Sequence, residues 1–149
     1  MPVRYVIDKE RRLVISTGWD RVTCAEMKAH QDQLLSDPDF KPEFDQLIDG
    51  TAVTAVDVSV DEIKTLVSRK VFSPTSRRAF VAPSPFIYGM GRMMGTYLEM
   101  SQAASQVCVF RDLPSALKWL GLEALPDPIR PEGAKKVETA QTPKNDKIA

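Results

Sequence analysis

The sequence predicts one α/β domain over residues 1–122, with a mixed, mostly parallel sheet of about five strands and helices packed on it. Short β-rich runs alternate with amphipathic segments of helix length, which is the pattern of a sheet with crossover helices. The first two runs are close enough to form a hairpin, whereas the later ones are far enough apart for parallel connections. A chain of 149 residues with 43% apolar side chains can bury a core of its own.

The first elements are a hairpin and a helix. Residues 5–7 and 13–15 are β-rich, and the polar stretch between them suits a hairpin loop. Thr23 and Glu26 have the spacing of a capping box, in which each side chain bonds to the other residue's backbone N–H. A helix therefore begins there, and it ends before Pro38 because the residue before a proline avoids helical conformation.

The middle of the chain contains further strand candidates and a second capping box. Glycines close two of the predicted strands, the strand 13–15 at Gly18 and a strand over residues 44–48 at Gly50. A separate extended piece follows over residues 53–58. Ser59-Val60-Asp61-Glu62 again has capping-box spacing and predicts the start of a second helix.

The remaining elements complete the alternation of strands and helices. They are a strand over 78–82, a helix from Pro85 to about Ala104, a strand over 107–110 and a helix capped by Asp112, with Gly121 just past its end. After Leu122 the apolar periodicity stops, and four prolines lie among many charged residues. We therefore expect residues 123–149 to form a disordered or loosely packed tail outside the domain 1–122.

Composition excludes several classes of function. No apolar run approaches the roughly 18 residues of a membrane span, and the first residues lack the apolar stretch of a secretory signal. Two cysteines, Cys24 and Cys108, and one histidine, His30, are too few for the usual zinc sites. No paired nucleophile and base stands out. We therefore expect a cytoplasmic protein that is not an enzyme, without metal or cofactor and without a role in nucleic-acid binding.

Charge is balanced in sum but uneven along the chain. Residues 1–62 hold 7 basic and 13 acidic side chains, whereas residues 63–98 hold six basic ones and no acid. Such a distribution can mark an anion-binding face. It can equally mean that the two segments are neighbours in the fold and neutralise each other, and both interpretations stay open.

The last strand and helix carry a family resemblance. The run from Val109 to Gly121, with Val-Phe-Arg-Asp followed by an Ala-x-x-Trp-Leu helix, resembles the end of the SpoIIAA-like family of bacterial, STAS-like proteins. The run from Tyr88 to Met93 resembles a recurrent element of one bacterial branch. The resemblance covers about residues 3–122 and implies the SpoIIAA-like fold. Much of that family has no assigned activity.

The wider STAS relatives also imply a switch that can be tested in this sequence. In antagonists of anti-sigma factors, a strand ends in Asp-Ser-Ser-Gly, and the second serine is phosphorylated to control partner binding. The matching place here reads Asp57-Val58-Ser59-Val60, so the aspartate and the second serine match, whereas the first serine and the glycine do not. We interpret Ser59 mainly as a helix cap and only secondarily as a phosphoacceptor.

The helix that starts at Pro85 is the candidate functional surface. Three internal glycines each cost helix stability, so a close approach by the sheet, a second subunit or a ligand must compensate for them. Tyr88 and Arg92 share one helix face, near the end of a strand where ligands bind in open α/β sheets. The candidate binding residues are Ser84, Tyr88, Gly91, Arg92 and Gly95.

Two functional hypotheses follow. The first is a non-enzymatic regulatory or protein-interaction domain of the SpoIIAA-like type, which binds a partner protein or forms a homodimer. The alternative is binding of a small anionic or lipid-like ligand in a crevice near Tyr88 and Arg92. The four methionines of the same helix suit an adaptable apolar contact in either case.

Overall fold

A computed structural model describes residues 2–100 and 106–122 of the chain. Its elements are β1 (Val3–Asp8), β2 (Leu13–Thr23), α1 (Cys24–Ser36), β3 (Asp45–Asp57), α2 (Val60–Ser68), β4 (Arg77–Val81), α3 (Pro85–Met100), β5 (Gln106–Phe110) and α4 (Leu113–Trp119). The predicted end of the long helix near Ala104 and the predicted tail over 123–149 lie outside the described residues.

The five strands form one sheet in the order β1-β2-β3-β4-β5. The β1–β2 hairpin is antiparallel, whereas β2, β3, β4 and β5 run parallel to one another. Each parallel connection contains one helix, namely α1, α2 or α3. The predicted α/β class and the mixed, mostly parallel five-stranded sheet are therefore confirmed.

The two faces of the sheet are covered by different helices. Side chains alternate between faces along a strand, so neighbouring residues belong to different layers. What we call the closed face is formed by Leu13, Ile15, Leu47, Ala79 and Val81, which pack against α4. What we call the cavity face is formed by Val14, Ser16, Gln46, Arg78 and Phe80 and is covered by α1, α2 and α3.

Two strands are longer than predicted. β2 continues through Gly18 to Thr23, and β3 continues through Gly50 to Asp57 as one strand. The expectation that these glycines end strands was wrong, because both lie inside a strand, at an irregularity in the pairing of β2 with β3. Register shifts occur after Thr17 and after Asp20, and such bulges let paired strands bend without separating. Position 50 requires a glycine for lack of space, because an added Cβ would lie 2.8 Å from the ring of Phe80.

Helix boundaries follow the predicted caps. The Glu26 carboxylate accepts a hydrogen bond from the Thr23 backbone N–H at 2.8 Å, and the Asp112 carboxylate accepts one from the Ser115 backbone N–H at 2.8 Å. Gly121 follows α4 with φ +80°, a conformation that favours glycine. Within the described residues, no helix has the length and apolar character needed to cross a membrane.

Candidate functional site

Polar side chains from three neighbouring strands lie side by side on the cavity face. Ser16 is in β2, Gln46 in β3 and Arg78 in β4, where Gln46 and Arg78 are direct neighbours in the ladder. Ser16 and Gln46 are each 2% exposed. Strands covered by helices on both faces are normally almost continuously apolar, so a buried polar group of this kind needs an explanation.

These three residues and His30 of α1 form one chain of hydrogen bonds. The Arg78 Nε–H donates to Gln46 Oε1 at 2.9 Å, and the Gln46 amide donates to Ser16 Oγ at 2.9 Å. Ser16 Oγ also lies 2.9 Å from His30 Nε2. Ser16 Oγ already accepts a hydrogen bond from Gln46, so the Ser16 hydroxyl proton can be donated to His30 Nε2. In that arrangement, the proton of the neutral histidine ring is on Nδ1.

His30 is neutral in this environment. Burial, together with the positive charge of Arg78, lowers the pKa of His30 to about 4. Its ring packs edge-on against Tyr5 with centroids 5.5 Å apart, and the Tyr5 hydroxyl donates to the Asp37 carboxylate at 2.8 Å. His30 is therefore a buried histidine that is uncharged at neutral pH.

Arg78 brings a positive charge into this interior. Burial lowers the pKa of Arg78 to about 10, so the guanidinium remains charged at neutral pH. Its carbon lies 4.5 Å from the centre of the Phe72 ring, a favourable cation–π distance. The side chain lines a cavity between the sheet and the helices.

The cavity lies between the cavity face and the helices above it. Its volume is about 160 Å³, close to the roughly 150 Å³ of an engineered apolar cavity that binds benzene. The polar chain of Ser16, Gln46, Arg78 and His30 forms one part of its wall. Most of the remaining wall is apolar and includes Leu34, Ile48, Val56, Leu66, Val67, Phe80, Met94 and Leu98.

The wall is rich in positive charge where the cavity approaches solvent. Arg69 and Lys70 line it, and Lys70 is the exposed residue among the described lining residues. Arg69 is held by the carboxylate of Asp32, and it donates to Gln31 Oε1 at 2.9 Å. Asp49 is the one acidic residue among the described lining residues.

The uneven charge of the sequence thus has two structural outcomes. Arg69, Lys70 and Arg78, half of the basic residues in the acid-free segment 63–98, line the cavity. Others are neutralised by the acidic first half, as in the contact between Arg77 and Asp45 at 3.4 Å. Neutralisation by the first half of the chain therefore applies to Arg69, which is paired with Asp32, and to Arg77, whereas an anion-binding face stays a prediction.

The candidate residues on α3 lie elsewhere. Tyr88, Arg92 and Gly95 line a shallow groove between α3 and β5, in which Arg92 is exposed. Ser84 precedes the helix, and its carbonyl accepts from the Tyr88 N–H at 2.8 Å. Arg111 lies over the Tyr88 ring, 5.4 Å from its centre. The binding role of these residues stays a prediction.

Gly91 faces the sheet instead of that groove. A Cβ added to Gly91 would lie 2.5 Å from Phe80 Cδ2, and one added to Gly50 would lie 2.8 Å from Phe80 Cε1. Phe80 therefore occupies the space that two glycines leave on opposite sides of it. Of the compensations expected for the α3 glycines, close packing on the sheet accounts for Gly91.

The predicted switch residues are at the surface. Ser59 Oγ accepts from the Glu62 N–H at 3.1 Å, and Glu62 Oε1 accepts from the Ser59 N–H at 2.8 Å. The capping role of Ser59 is therefore confirmed, and phosphorylation stays a prediction. Asp57 is exposed and lies 3.9 Å from Arg21.

Both cysteines are free thiols that are partly buried. Burial, reinforced by the Glu62 carboxylate, raises the pKa of the Cys24 thiol. Among the described residues, no group of histidine, cysteine or carboxylate side chains could hold a metal ion.

Sequence reasoning missed the buried polar chain. The available signal was a polar residue within a predicted strand, because Gln46 and Arg78 each come directly before the apolar residues of a predicted strand. The glycines and methionines of the long helix drew the prediction to α3 instead. His30 was considered only within its own helix, since the sequence does not show that Ser16 lies opposite.

Comparison with known proteins supports the architecture and adds no activity. No protein-family model matches the chain, and no curated protein matches it significantly. The structure is similar to the crystal structure of an uncharacterized DUF3478-family protein from Shewanella loihica PV-4, which has a SpoIIAA-like fold. The TM-score is 0.54 at 18% sequence identity, and the match covers 79% of this chain and 93% of that one. The chain therefore has the SpoIIAA-like fold that its closing strand and helix predicted.

Proposed function

We propose that this protein binds a small, mostly apolar molecule in the cavity beneath α1, α2 and α3. The observation that carries the proposal is a cavity of about 160 Å³ whose mostly apolar wall includes a connected set of buried polar groups. A concave apolar site with a few convergent polar groups is the usual form of a ligand pocket. This is the ligand-binding alternative predicted from the sequence, at a different place in the fold.

Binding without chemistry suits this site better than catalysis. Ser16 and His30 lie at the distance of a nucleophile and its base. A base whose pKa is about 4, however, accepts the proton of a serine hydroxyl poorly at neutral pH. In the arrangement described above, each polar group donates a hydrogen bond to the next, from Arg78 through Gln46 and Ser16 to His30. Such a fixed set of hydrogen bonds suits recognition of a ligand. We therefore propose that the protein is not an enzyme.

Titration with benzene tests the proposal. We expect backbone NMR shifts to change at cavity-lining residues such as Leu66, Val67 and Phe80, and the thermal midpoint to rise with benzene concentration because the ligand binds only the folded state. Shift changes scattered over the surface, or none at all, would contradict binding in this cavity.

Two variants of the same helix provide the matched control. Val67→Phe adds a ring to a lining residue that is 8% exposed, whereas Val60→Phe adds the same ring to a residue that is 44% exposed and outside the wall. We expect Val67→Phe to lose benzene binding and Val60→Phe to keep it. Circular dichroism establishes that both variants are folded before binding is compared.

A protein contact through α3 is the second candidate. Phe86 at the start of α3 is 67% exposed and Met100 at its end is 71% exposed, and apolar groups of this size at a surface often belong to contacts. We propose a second copy of the chain as the partner, because the groove between α3 and the edge strand β5 lies along the same helix. This retains the predicted regulatory or interaction role and the homodimer.

Light scattering across a concentration series tests the second candidate. We expect a mass that rises from monomer to dimer, and a loss of the dimer in Phe86→Ser. Leu35→Ser is the control, since Leu35 is a 52% exposed side chain on α1. A constant monomer mass, or equal effects of the two substitutions, would contradict a contact through α3.

A further inference from the structure

We infer that two copies of this chain pair through the outer edge of β5, so that their sheets form one continuous sheet. A two-fold axis passes beside Cys108, and the two β5 strands run antiparallel across it. This inference rests on the homodimer proposed above, and it adds the surface, the direction and the register of the contact.

The outer edge of β5 offers backbone hydrogen-bonding groups. β5 is the last strand of the sheet, and no other strand of the described residues pairs with its outer side. The Gln106 N–H donates toward the β4 side at 2.9 Å, and the Phe110 carbonyl accepts from that side at 2.8 Å. Alternate residues of a strand direct these groups to opposite sides. Val107 and Val109 therefore direct their N–H and C=O groups outward.

The sequence of β5 lacks the features that keep edge strands apart. Natural edge strands are usually protected by charged side chains, prolines or bulges. The strand Gln106–Phe110 contains no charged residue and no proline, and its pairing with β4 is regular along its length. The other edge strand, β1, includes Arg4 and Asp8. Of the two edges, the one at β5 is therefore suited to pairing.

The symmetry of this edge favours a second β5 as its partner. Val107 and Val109 lie on either side of Cys108, so an antiparallel copy centred on Cys108 places each valine opposite the other valine of the partner. Outward-facing residues that lie opposite each other exchange both of their N–H···O bonds. β-branched side chains in such cross-strand pairs also pack favourably.

α3 lies beside the proposed axis. A Cβ added to Gly91 would lie 3.2 Å from Val109 Cγ2, and one added to Gly95 would lie 3.7 Å from Val107 Cγ1. α3 therefore runs antiparallel to β5 and passes the level of Cys108 between the two glycines. A two-fold axis at Cys108 places the two copies of α3 antiparallel, one on each side of the axis.

The charges on this helix are complementary across the axis. Arg92 and Glu99 are exposed, line the groove beside β5 and form no ion pair with a described residue. Arg92 lies near the level of the axis, and Glu99 lies roughly two turns further along the helix. Side chains lean toward the N-terminus of their helix, so Arg92 and the partner's Glu99 lean toward each other, whereas the two Arg92 side chains lean apart. A second copy thus supplies both the strand and the complementary charge.

Cross-linking of cysteines tests the register. Cys24 and Cys108 are the two cysteines of the chain, so Cys24→Ser leaves the thiol of Cys108, and Cys108→Ser, the matched control, leaves that of Cys24. Directly opposite residues of antiparallel strands have Cα atoms roughly 4.5–5.5 Å apart, within the range of a disulfide. Diamide serves as the oxidant and takes up the hydrogens of both thiols. We expect a covalent dimer of Cys24→Ser and none of Cys108→Ser on a non-reducing gel.

The outcomes separate this inference from the homodimer itself. A dimer mass in light scattering without cross-linking of Cys24→Ser, or equal cross-linking of the two variants, would overturn the pairing through β5 and leave a dimer through α3 intact. A constant monomer mass would overturn both, and it is the result expected if another part of the same chain covers this edge.

Reversal of charge on α3 tests the arrangement of the helices. Arg92→Glu brings a carboxylate near the partner's Glu99, so we expect the dissociation constant of the dimer to rise about tenfold, because facing like charges oppose association. Combining it with Glu99→Arg exchanges the two charges and should return the constant to within about threefold of wild type. Lys28→Glu is the control, since Lys28 is exposed on α1, and it should change nothing. A double variant no tighter than Arg92→Glu would contradict the arrangement.

Discussion

The closed face and the cavity face are built by the same strands, yet they bury different chemistry. On the closed face, Leu47 and Ala79 are fully buried among apolar neighbours and α4. One residue away along the same strands, Gln46 and Arg78 line a cavity with polar groups and a charge. The difference shows that alternation along a strand can separate a closed apolar core from a face lined with polar groups within a single sheet.

The separation has an energetic reason. A close-packed apolar layer stabilises the fold through burial and dispersion, and any void in it has a cost. The cavity face lacks part of this stabilisation because its side chains are not fully packed, and the closed face therefore contributes more of the stability of the fold. We therefore expect substitutions on the closed face to change stability and those on the cavity face to change binding.

The largest effect should come from Leu47→Ala on the closed face. Leu47 is completely buried, so its truncation removes apolar contacts and leaves a void, at a cost of about 2–5 kcal/mol in the free energy of unfolding. Urea denaturation measures it, with Leu35→Ala on the exposed side of α1 as a control that should change stability by less than about 0.5 kcal/mol. Benzene affinity should be the same in both variants. A loss of affinity in Leu47→Ala would break the comparison between the faces.

The next largest change in stability should come from protonation of His30 on the cavity face as the pH falls. Because the folded-state pKa of His30 is about 4, against 6.5 for the unfolded chain, protonation favours unfolding as pH falls. The stability that His30 contributes is complete above pH 6.5 and is lost progressively down to pH 4, in total about 3 kcal/mol at 1.36 kcal/mol per pKa unit.

Urea denaturation across this pH window measures the effect, and His30→Gln is the control that should remove it. The titration of carboxylates such as Asp8 can be distinguished from that of His30, because it occurs at lower pH. Burial alone would raise the pKa of Asp8, but hydrogen bonds from Arg11 hold that pKa below its usual value. A wild-type curve that is flat between pH 4 and 6.5 would mean that His30 is not buried in its neutral form.

Substitution of two glycines of α3 should change the stability of the fold by smaller amounts and in opposite directions. Gly91→Ala places a methyl group against the Phe80 ring and should destabilise the fold by about 1–3 kcal/mol through overpacking. Gly89→Ala meets nothing within 4 Å and should stabilise the helix by about 0.5–1 kcal/mol. Thermal denaturation of both variants checks the signs. If both substitutions stabilised the protein, Phe80 would not require the space at Gly91.

These glycines also show how far sequence reasoning reached. Their helix and the capping boxes at Thr23 and Ser59 were predictable because each depends on local spacing. Gly50 was interpreted as a strand end because glycine usually marks turns. Its actual reason, the ring of Phe80, comes from a residue 30 positions away, and no local pattern contains it.

The sequence indicated basic residues that the structure places at the candidate site, but it did not indicate where the site lies. An anionic ligand was considered because residues 63–98 hold basic residues without acids, and part of that charge does line the cavity. The position was not predictable in the same way, because the hydrogen-bond chain joins β2, α1, β3 and β4. Only strand order and register bring Ser16, His30, Gln46 and Arg78 together.

The smallest effect should come from Ser59, which lies outside both faces. Its hydroxyl accepts from the Glu62 N–H at the start of α2, so Ser59→Ala should cost about 1 kcal/mol, whereas Ser59→Asp should be nearly neutral because aspartate caps equally well. Urea denaturation of the two variants measures this, and both should retain benzene binding, since Ser59 does not line the cavity. A changed oligomeric state or partner in Ser59→Asp alone, or a stoichiometric phosphate at Ser59 in protein isolated from cells, would show that this cap also acts as a switch.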